Sequence, residues 1–204
     1  MAELRNDEST EGEELEARPK RVEVGGKIET IEEINPKKAL KLLRGLIKDY
    51  EDYLTVPNRR KADFHFREYV RNYINQINDQ IKEIHAMLIE KQQMSTWAVA
   101  ERLINEIASF SKDVEKADYG FTTFFENPKL LEIDISQLYL IDNEFIVALV
   151  RMRERTEAFM DMTERNYLED VDLWFETLDR LIGRLIRLND DRAKLIGSYE
   201  RISY

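Results

Sequence analysis

The apolar positions of the chain repeat with a helical period, most clearly near its middle. Steps of four and three residues alternate along one ridge of β-branched and leucine side chains: Val70, Ile74, Ile77, Ile81, Ile84 and Leu88. This is the spacing of a coiled-coil seam, because it keeps all six side chains on one helix face. It predicts a helix over residues 59–92 that packs its ridge against another helix.

Similar stripes mark four more helices. The predicted segments are 36–54, a helix that starts near Ser95, 136–164, and a helix that starts near Asn166. Asn35 followed by Pro36 favours a helix start, because asparagine caps the first turn and proline fits the first helical position. Ser95 can cap the third helix, and Asn166 with Glu169 resembles a capping box.

Fold class follows from these stripes together with the composition. The 204 residues include only seven glycines and four prolines, too few for a turn-rich β fold. A stripe repeated every 3.5 residues is buried only against another helix. We therefore predict an all-α protein, an elongated antiparallel bundle of about five helices with coiled-coil-like packing, formed by residues 35–204.

The N-terminal segment differs from the rest. Residues 1–33 contain eleven carboxylates and five bases, a net charge of −6 out of −10 for the chain. We predict that residues 1–34 are a disordered acidic tail and linker. Gly25-Gly26 could centre a hairpin, but its register pairs Val24 with Lys27 and Val22 with Glu29, so no apolar face forms. An extended linker is favoured, with a short strand as the alternative.

Cellular location is predicted from what the sequence lacks. Acidic residues follow Met1, where a secretory signal has a basic region and then an apolar stretch. No run of eighteen apolar residues occurs, so no transmembrane helix is expected. A chain without cysteine suits the cytoplasm, which is the predicted location.

Few residues suggest catalytic chemistry. The absence of cysteine excludes thiolate zinc sites and thiol catalysis. His65 and His85 lie twenty residues apart on one predicted helix, about 30 Å, too far to share a metal. No glycine-rich phosphate loop or nucleophile elbow is present. We expect no catalytic residue, no metal and no cofactor, and therefore a protein that is not an enzyme.

Aromatic residues interrupt the helical pattern in residues 118–134. Four of them fall within seven positions: Tyr119, Phe121, Phe124 and Phe125. Gly120 can adopt a positive φ and end the third helix. The aromatic rings either plug one end of the bundle or form a partner-binding knob, since aromatic anchors dominate interfaces.

A basic stripe lies in and after the first predicted helix. It consists of Lys37, Lys41, Arg44, Lys48, Arg59, Arg60 and Lys61. The favoured interpretation is neutralisation within the chain, by the acidic tail or by carboxylates of the fifth helix. An acidic protein partner and an anionic membrane are the alternatives. Nucleic acid is disfavoured because the whole chain is acidic.

These patterns predict a non-enzymatic helical interaction protein, an adaptor or assembly subunit of a cytoplasmic complex. Its expected partners are proteins, including further copies of itself held through the long seams. The alternative is a peripheral regulator that binds an anionic membrane surface or another polyanion through the basic first helix.

Overall fold

The computed structural model of the protein describes residues 21–24, 27–30 and 35–199. Its elements are β1 (Arg21–Val24), β2 (Lys27–Thr30), α1 (Pro36–Leu46), α2 (Val56–Glu90), α3 (Trp97–Lys116), α4 (Glu132–Glu164) and α5 (Val171–Gly197), with a 3₁₀ turn at Met94–Thr96. The chain divides after Glu33 into two units. The second unit is an all-α bundle of five helices, as predicted.

Each long helix buries the stripe that predicted it. All six seam residues of α2, from Val70 to Leu88, have no exposed surface. They join one hydrophobic core with the inner faces of the other helices. The seam is therefore fully buried within a single copy of the chain.

Helix directions follow from the side chains that meet. α2 and α3 are antiparallel, because Arg67 contacts the end of α3 at Glu115 while Asn75 contacts Ser111. α4 and α5 are also antiparallel, since Glu144 pairs with Arg184 and Phe159 packs on Phe175. Each antiparallel pair is connected in sequence.

α2 and α4 lie side by side in the same direction. The ring of Phe66 meets that of Phe145 edge-on at 5.5 Å, and farther along Arg153 donates to the Tyr73 hydroxyl at 3.3 Å. α2 and α4 therefore begin, and α3 and α5 end, at the same end of the bundle, which we call the loop end. The connection from α3 to α4 crosses this end.

The first helix is shorter than predicted. Its start is as expected, with the Asn35 side chain accepting from the Lys38 amide at 3.0 Å. It ends at Leu46 instead of residue 54, and Asp49 adopts a positive φ of 59°. The following segment carries Tyr50 and Tyr53 into the core in non-helical backbone.

Two predicted helix caps, Ser95 and Asn166, are not used as caps. A 3₁₀ turn precedes α3, which begins after Thr96 rather than at a Ser95 cap. Asn166 has a positive φ of 63°, and its side chain accepts from Lys91 at 3.0 Å, so it joins two helices instead of capping one. α5 begins five residues later, at Val171.

In the first unit the structure shows a hairpin, where the sequence favoured an extended linker. β1 and β2 pair antiparallel, with Val24 opposite Lys27 and Val22 opposite Glu29. This is the register that the sequence analysis judged unfavourable, and backbone pairing forms it without needing a continuous apolar face. The rest of the predicted disordered tail, residues 1–20, 25–26 and 31–34, lies outside the described residues.

Candidate functional site

The loop from Ala117 to Leu131, here called the aromatic loop, is tied to the end of α5. The Thr123 amide donates to the Tyr199 carbonyl at 2.5 Å, and the Thr123 hydroxyl donates to the same oxygen at 3.0 Å. The Thr122 hydroxyl donates to the Ile196 carbonyl at 2.5 Å. These bonds fix the loop at two adjacent residues, directly after Phe121. α3 ends at Lys116, and its cap Ala117 lies in the left-handed region. Gly120 adopts the expected positive φ but does not end the helix.

Two of the four aromatic residues plug the bundle. Phe124 has no exposed surface and Phe125 is also buried. Their rings meet edge-on at 5.3 Å, and the Phe124 ring also contacts Tyr53 and Tyr199. Of the two alternatives that the sequence left open for these rings, their burial in the core of their own chain corresponds to the plug and not to the partner-binding knob.

Tyr119 is also used internally. Its hydroxyl donates to Asp63 Oδ1 at 2.7 Å and accepts from Arg192 at 2.5 Å. Burial raises the pKa of this hydroxyl, so it stays protonated and able to donate. A binding partner could therefore contact only the exposed part of the Tyr119 ring.

Phe121 is the exception. It is 94% exposed, the highest value among the large apolar side chains of the described residues. Its neighbour Thr122 is bonded to α5, so the ring stands on a fixed backbone. Of the four predicted partner-binding residues, Phe121 alone presents a whole aromatic side chain to solvent within the described chain.

The basic stripe is divided by the fold. Lys37, Lys41 and Lys48 are exposed, and Arg44 pairs with Asp52 at 2.9 Å. The second half, at the start of α2, lies beside the aromatic loop instead. There Arg60 pairs with Glu126.

Arg59 does not belong to an exposed stripe. It is 1% exposed, and its guanidinium donates to the carbonyls of Tyr53 at 2.8 Å, Phe124 at 2.9 Å and Asn127 at 2.5 Å. A guanidinium presents several donors in a fixed plane, so it can satisfy carbonyls from two segments at once. Arg59 therefore fastens the aromatic loop to the segment before α2. Lys61, two residues later, is exposed.

A buried ionic cluster lies beneath the aromatic loop. Arg192 Nε donates to Asp142 Oδ1 at 2.8 Å, and Arg192 Nη1 lies 2.8 Å from Asp63 Oδ1. All three side chains are at most 5% exposed. The guanidinium also lies over the Phe66 ring, 4.6 Å from its centroid. This cluster connects α2, α4 and α5.

Three tyrosine hydroxyls complete the cluster, which we call the Arg192 network. Those of Tyr50 and Tyr53 each lie 3.1 Å from Asp142 Oδ2, and Arg192 Nη2 donates to Tyr53 at 2.9 Å. The third hydroxyl is that of Tyr119. Burial raises the pKa values of Tyr50 and Tyr53, which keeps both hydroxyls neutral.

The two aspartates differ in their electrostatic balance. Burial raises the pKa of Asp142, although Arg192 and the two tyrosine hydroxyls oppose this shift. Burial also acts on Asp63, but the charges of Arg192 and Arg67 outweigh it and hold the pKa of Asp63 below its usual value. Arg67 Nε donates to Asp63 Oδ2 at 2.9 Å. Asp63 thus has two cationic partners, whereas Asp142 has one.

The sequence analysis did not identify this network. A signal was present, because the seam of α2 continues backwards in steps of three and four through Phe66, Asp63 and Arg59. Charged residues at seam positions indicate a polar layer inside a bundle. Arg192 likewise lies four residues from both Leu188 and Ile196.

Among the described residues, no group of three or more histidine, aspartate or glutamate side chains is arranged to hold a metal ion. None of the described helices combines the length and apolar character needed to cross a membrane. No protein-family model, curated protein or solved structure matches the chain. Function must therefore be inferred from the arrangement of its own side chains.

Proposed function

We propose that this protein is a non-enzymatic helical interaction protein, an adaptor or assembly subunit, whose partner binds at the loop end of the bundle. The observation that supports this most is the exposed ring of Phe121, whose loop is held by the Tyr119 hydroxyl before it and by Thr122 and Thr123 after it. Aromatic side chains supply much of the binding energy of protein interfaces. A backbone already fixed loses little conformational entropy when a partner binds.

The buried residues around Phe121 support the same proposal. Arg59 and the Arg192 network hold the aromatic loop from below, through Phe124 and Tyr119. Burying these charges costs desolvation energy, so they add little to the stability of the fold. They favour one loop geometry instead, because other geometries would leave a buried charge unpaired. In this proposal their role is to position the partner-binding surface.

The test compares Phe121→Ala with Tyr167→Ala. Tyr167 is 61% exposed and lies between α4 and α5, at the opposite end of the bundle, so it is a matched exposed aromatic control. Each variant is used as bait in extracts of the native host, and recovered proteins are quantified by mass spectrometry. We expect Phe121→Ala to lose a partner that wild type and Tyr167→Ala retain. Equal recovery with all three baits would contradict the proposal.

Self-association remains a prediction, and the burial of the long seams weakens the reason for it. The seams predicted to join copies are buried within one copy, so a second copy must use another surface. The mass of the purified protein by light scattering at micromolar concentration tests it. A monomer mass would remove self-association from the proposal and leave the Phe121 surface untouched.

Binding to an anionic membrane surface is the second candidate function. It is supported by Lys37, Lys41 and Lys48, which are exposed and make no ion pair within the described part of the chain. Each base near an anionic surface contributes about 1 kcal/mol. Reversing all three to glutamate should abolish sedimentation with phosphatidylserine vesicles, whereas reversing Lys82, Lys112 and Lys194 should not. Wild-type protein that never sediments would end this candidate.

A further inference from the structure

A cleft opens between the start of α2 and the aromatic loop. Its volume is about 320 Å³, and its walls include Arg60, Phe64, Arg67, Lys116, Tyr119 and Phe125. An adjoining hollow shares several of these residues and extends along the loop to Gly120 and Thr122, on either side of Phe121. The hollow thus reaches the two residues that flank Phe121 in the loop.

The charge of the cleft is positive. Arg60, Arg67 and Lys116 contribute three cations, against a single carboxylate, Asp63. That carboxylate is already bound inside the protein by Arg192 and by the Tyr119 hydroxyl. Asp63 also pairs with Arg67 at 2.9 Å, so Arg60 and Lys116 are the two cations that the carboxylate of the cleft lining does not neutralise. The adjoining hollow adds one further carboxylate, Asp118.

These cations have capacity to bind an anion. Lys116 makes no ion pair or hydrogen bond with any described side chain. Arg67 uses Nε and Nη1 for bonds to Asp63 and the Glu115 carbonyl, which leaves Nη2 without a hydrogen bond in the described residues. Arg60 pairs with Glu126, but both side chains are more than half exposed. Such surface pairs contribute about 0–1 kcal/mol, so an incoming carboxylate can replace Glu126.

Aromatic walls add an apolar component. Phe64 is 52% exposed, and the Arg60 guanidinium lies over the Phe125 ring at 4.8 Å from its centroid. Stacking of this kind holds the guanidinium in place, and its Nη2, which pairs with Glu126, is the group that an incoming carboxylate would bind in place of Glu126. The cleft is thus built for an anionic group with apolar atoms on either side.

We infer that the cleft binds an acidic segment of a protein partner, with glutamate or aspartate on the three cations and an apolar side chain against Phe64 or Phe121. This inference rests on the proposed function and specifies the chemistry of its partner. The cations that line the cleft favour an occupant that carries carboxylates. Nucleic acid is a poorer fit, because three cations do not follow a phosphate backbone and the chain carries a net charge of −10.

The test is selection from a phage-displayed library of random peptides on the full-length protein. We expect the recovered peptides to be rich in glutamate and aspartate next to an apolar residue. Their affinity should fall about tenfold or more in the double variant Arg60→Glu, Lys116→Glu. Both positions are exposed, so the variant should keep the circular dichroism spectrum of wild type.

The matched control reverses two exposed bases elsewhere, Arg155→Glu on α4 and Arg187→Glu on α5. This variant should bind the selected peptides as wild type does. No enrichment, enrichment of neutral or basic peptides, or equal loss in both double variants would overturn the inference. Binding of phosphatidylserine vesicles that Arg60→Glu, Lys116→Glu abolishes, without selection of acidic peptides, would overturn it in favour of a lipid surface.

Failure of this inference is distinguishable from failure of the proposed function. If Phe121→Ala loses a native partner but Arg60→Glu, Lys116→Glu retains it, the Phe121 surface stands and the acidic segment does not. If neither variant loses a partner, the proposed function fails as well.

Discussion

Arg192 illustrates at the scale of single residues how a buried charge can determine a structure. Its guanidinium binds Asp63, Asp142 and two tyrosine hydroxyls, contributed by four separate parts of the chain. Transferring such charges from water costs several kcal/mol per ion, which their mutual attraction only roughly offsets. The cluster instead favours a single geometry of the chain, because other arrangements would leave a buried charge without a partner.

Arg192→Met tests this account. Removing the cation leaves Asp142 without a cationic partner, so we expect a loss of about 3–5 kcal/mol in the free energy of unfolding, measured by urea denaturation. Arg187→Met, on the exposed side of the same helix, should change stability by less than about 0.5 kcal/mol.

A second change separates charge from packing. Adding Asp142→Asn to Arg192→Met removes the unpaired carboxylate and should recover part of the loss. No recovery in this double variant would mean that packing, and not the uncompensated charge, causes the loss.

At the scale of secondary-structure elements, two glycines give opposite predictions. A Cβ at either Gly45 or Gly120 would meet no atom within 4 Å, so only backbone conformation distinguishes the two positions. Gly45 lies within α1, and Gly45→Ala should stabilise the protein by about 0.5–1 kcal/mol. Gly120 has a φ of 64°, and Gly120→Ala should destabilise it by about 1–2 kcal/mol.

Thermal unfolding of both variants checks this pair. Changes of the same sign would contradict the backbone explanation. Circular dichroism of the folded states controls for a change in helix content.

Helices were predictable from sequence where an apolar stripe alone determines them. α2 and α4 were placed to within a few residues, because their stripes are long and match one period. α1 was overextended because Tyr50 continues its stripe, although the Tyr50 side chain reaches Asp142 from non-helical backbone. Such a contact across ninety-two positions leaves no local signal.

The candidate site was predictable only in part, for a related reason. Clustering of aromatic residues identified the aromatic loop correctly. Which ring is exposed depends on Arg59 and Arg192, whose partners lie far away in sequence. A window of sequence therefore locates the loop but does not separate Phe121 from Phe124.

At the scale of the whole molecule, the buried tyrosines predict instability in alkali. Burial raises the pKa values of Tyr50, Tyr53 and Tyr119, and raises that of Tyr139 to about 12. In the unfolded chain a tyrosine ionises near pH 10. Between these values the folded state holds protons that the unfolded state has lost, so stability falls as pH rises.

Urea unfolding at a series of alkaline pH values measures this effect. We expect the free energy of unfolding to decrease from about pH 10 upwards, by about 1.4 kcal/mol per pH unit for each buried tyrosine. Tyrosinate absorbance of these residues should rise together with the loss of helical circular dichroism. Full tyrosine ionisation in a protein that remains folded would show that the hydroxyls are not enclosed.

For the loop end as a whole, the proposed role of the bundle is to hold Phe121 in solvent for a partner to bind. Its most direct test places a photoreactive phenylalanine analogue at position 121 or, as a control, at position 167, in the native host. We predict that irradiation produces a cross-linked adduct of defined mass from position 121 and none of that mass from position 167. No adduct at position 121, or the same adducts from both positions, would contradict the account.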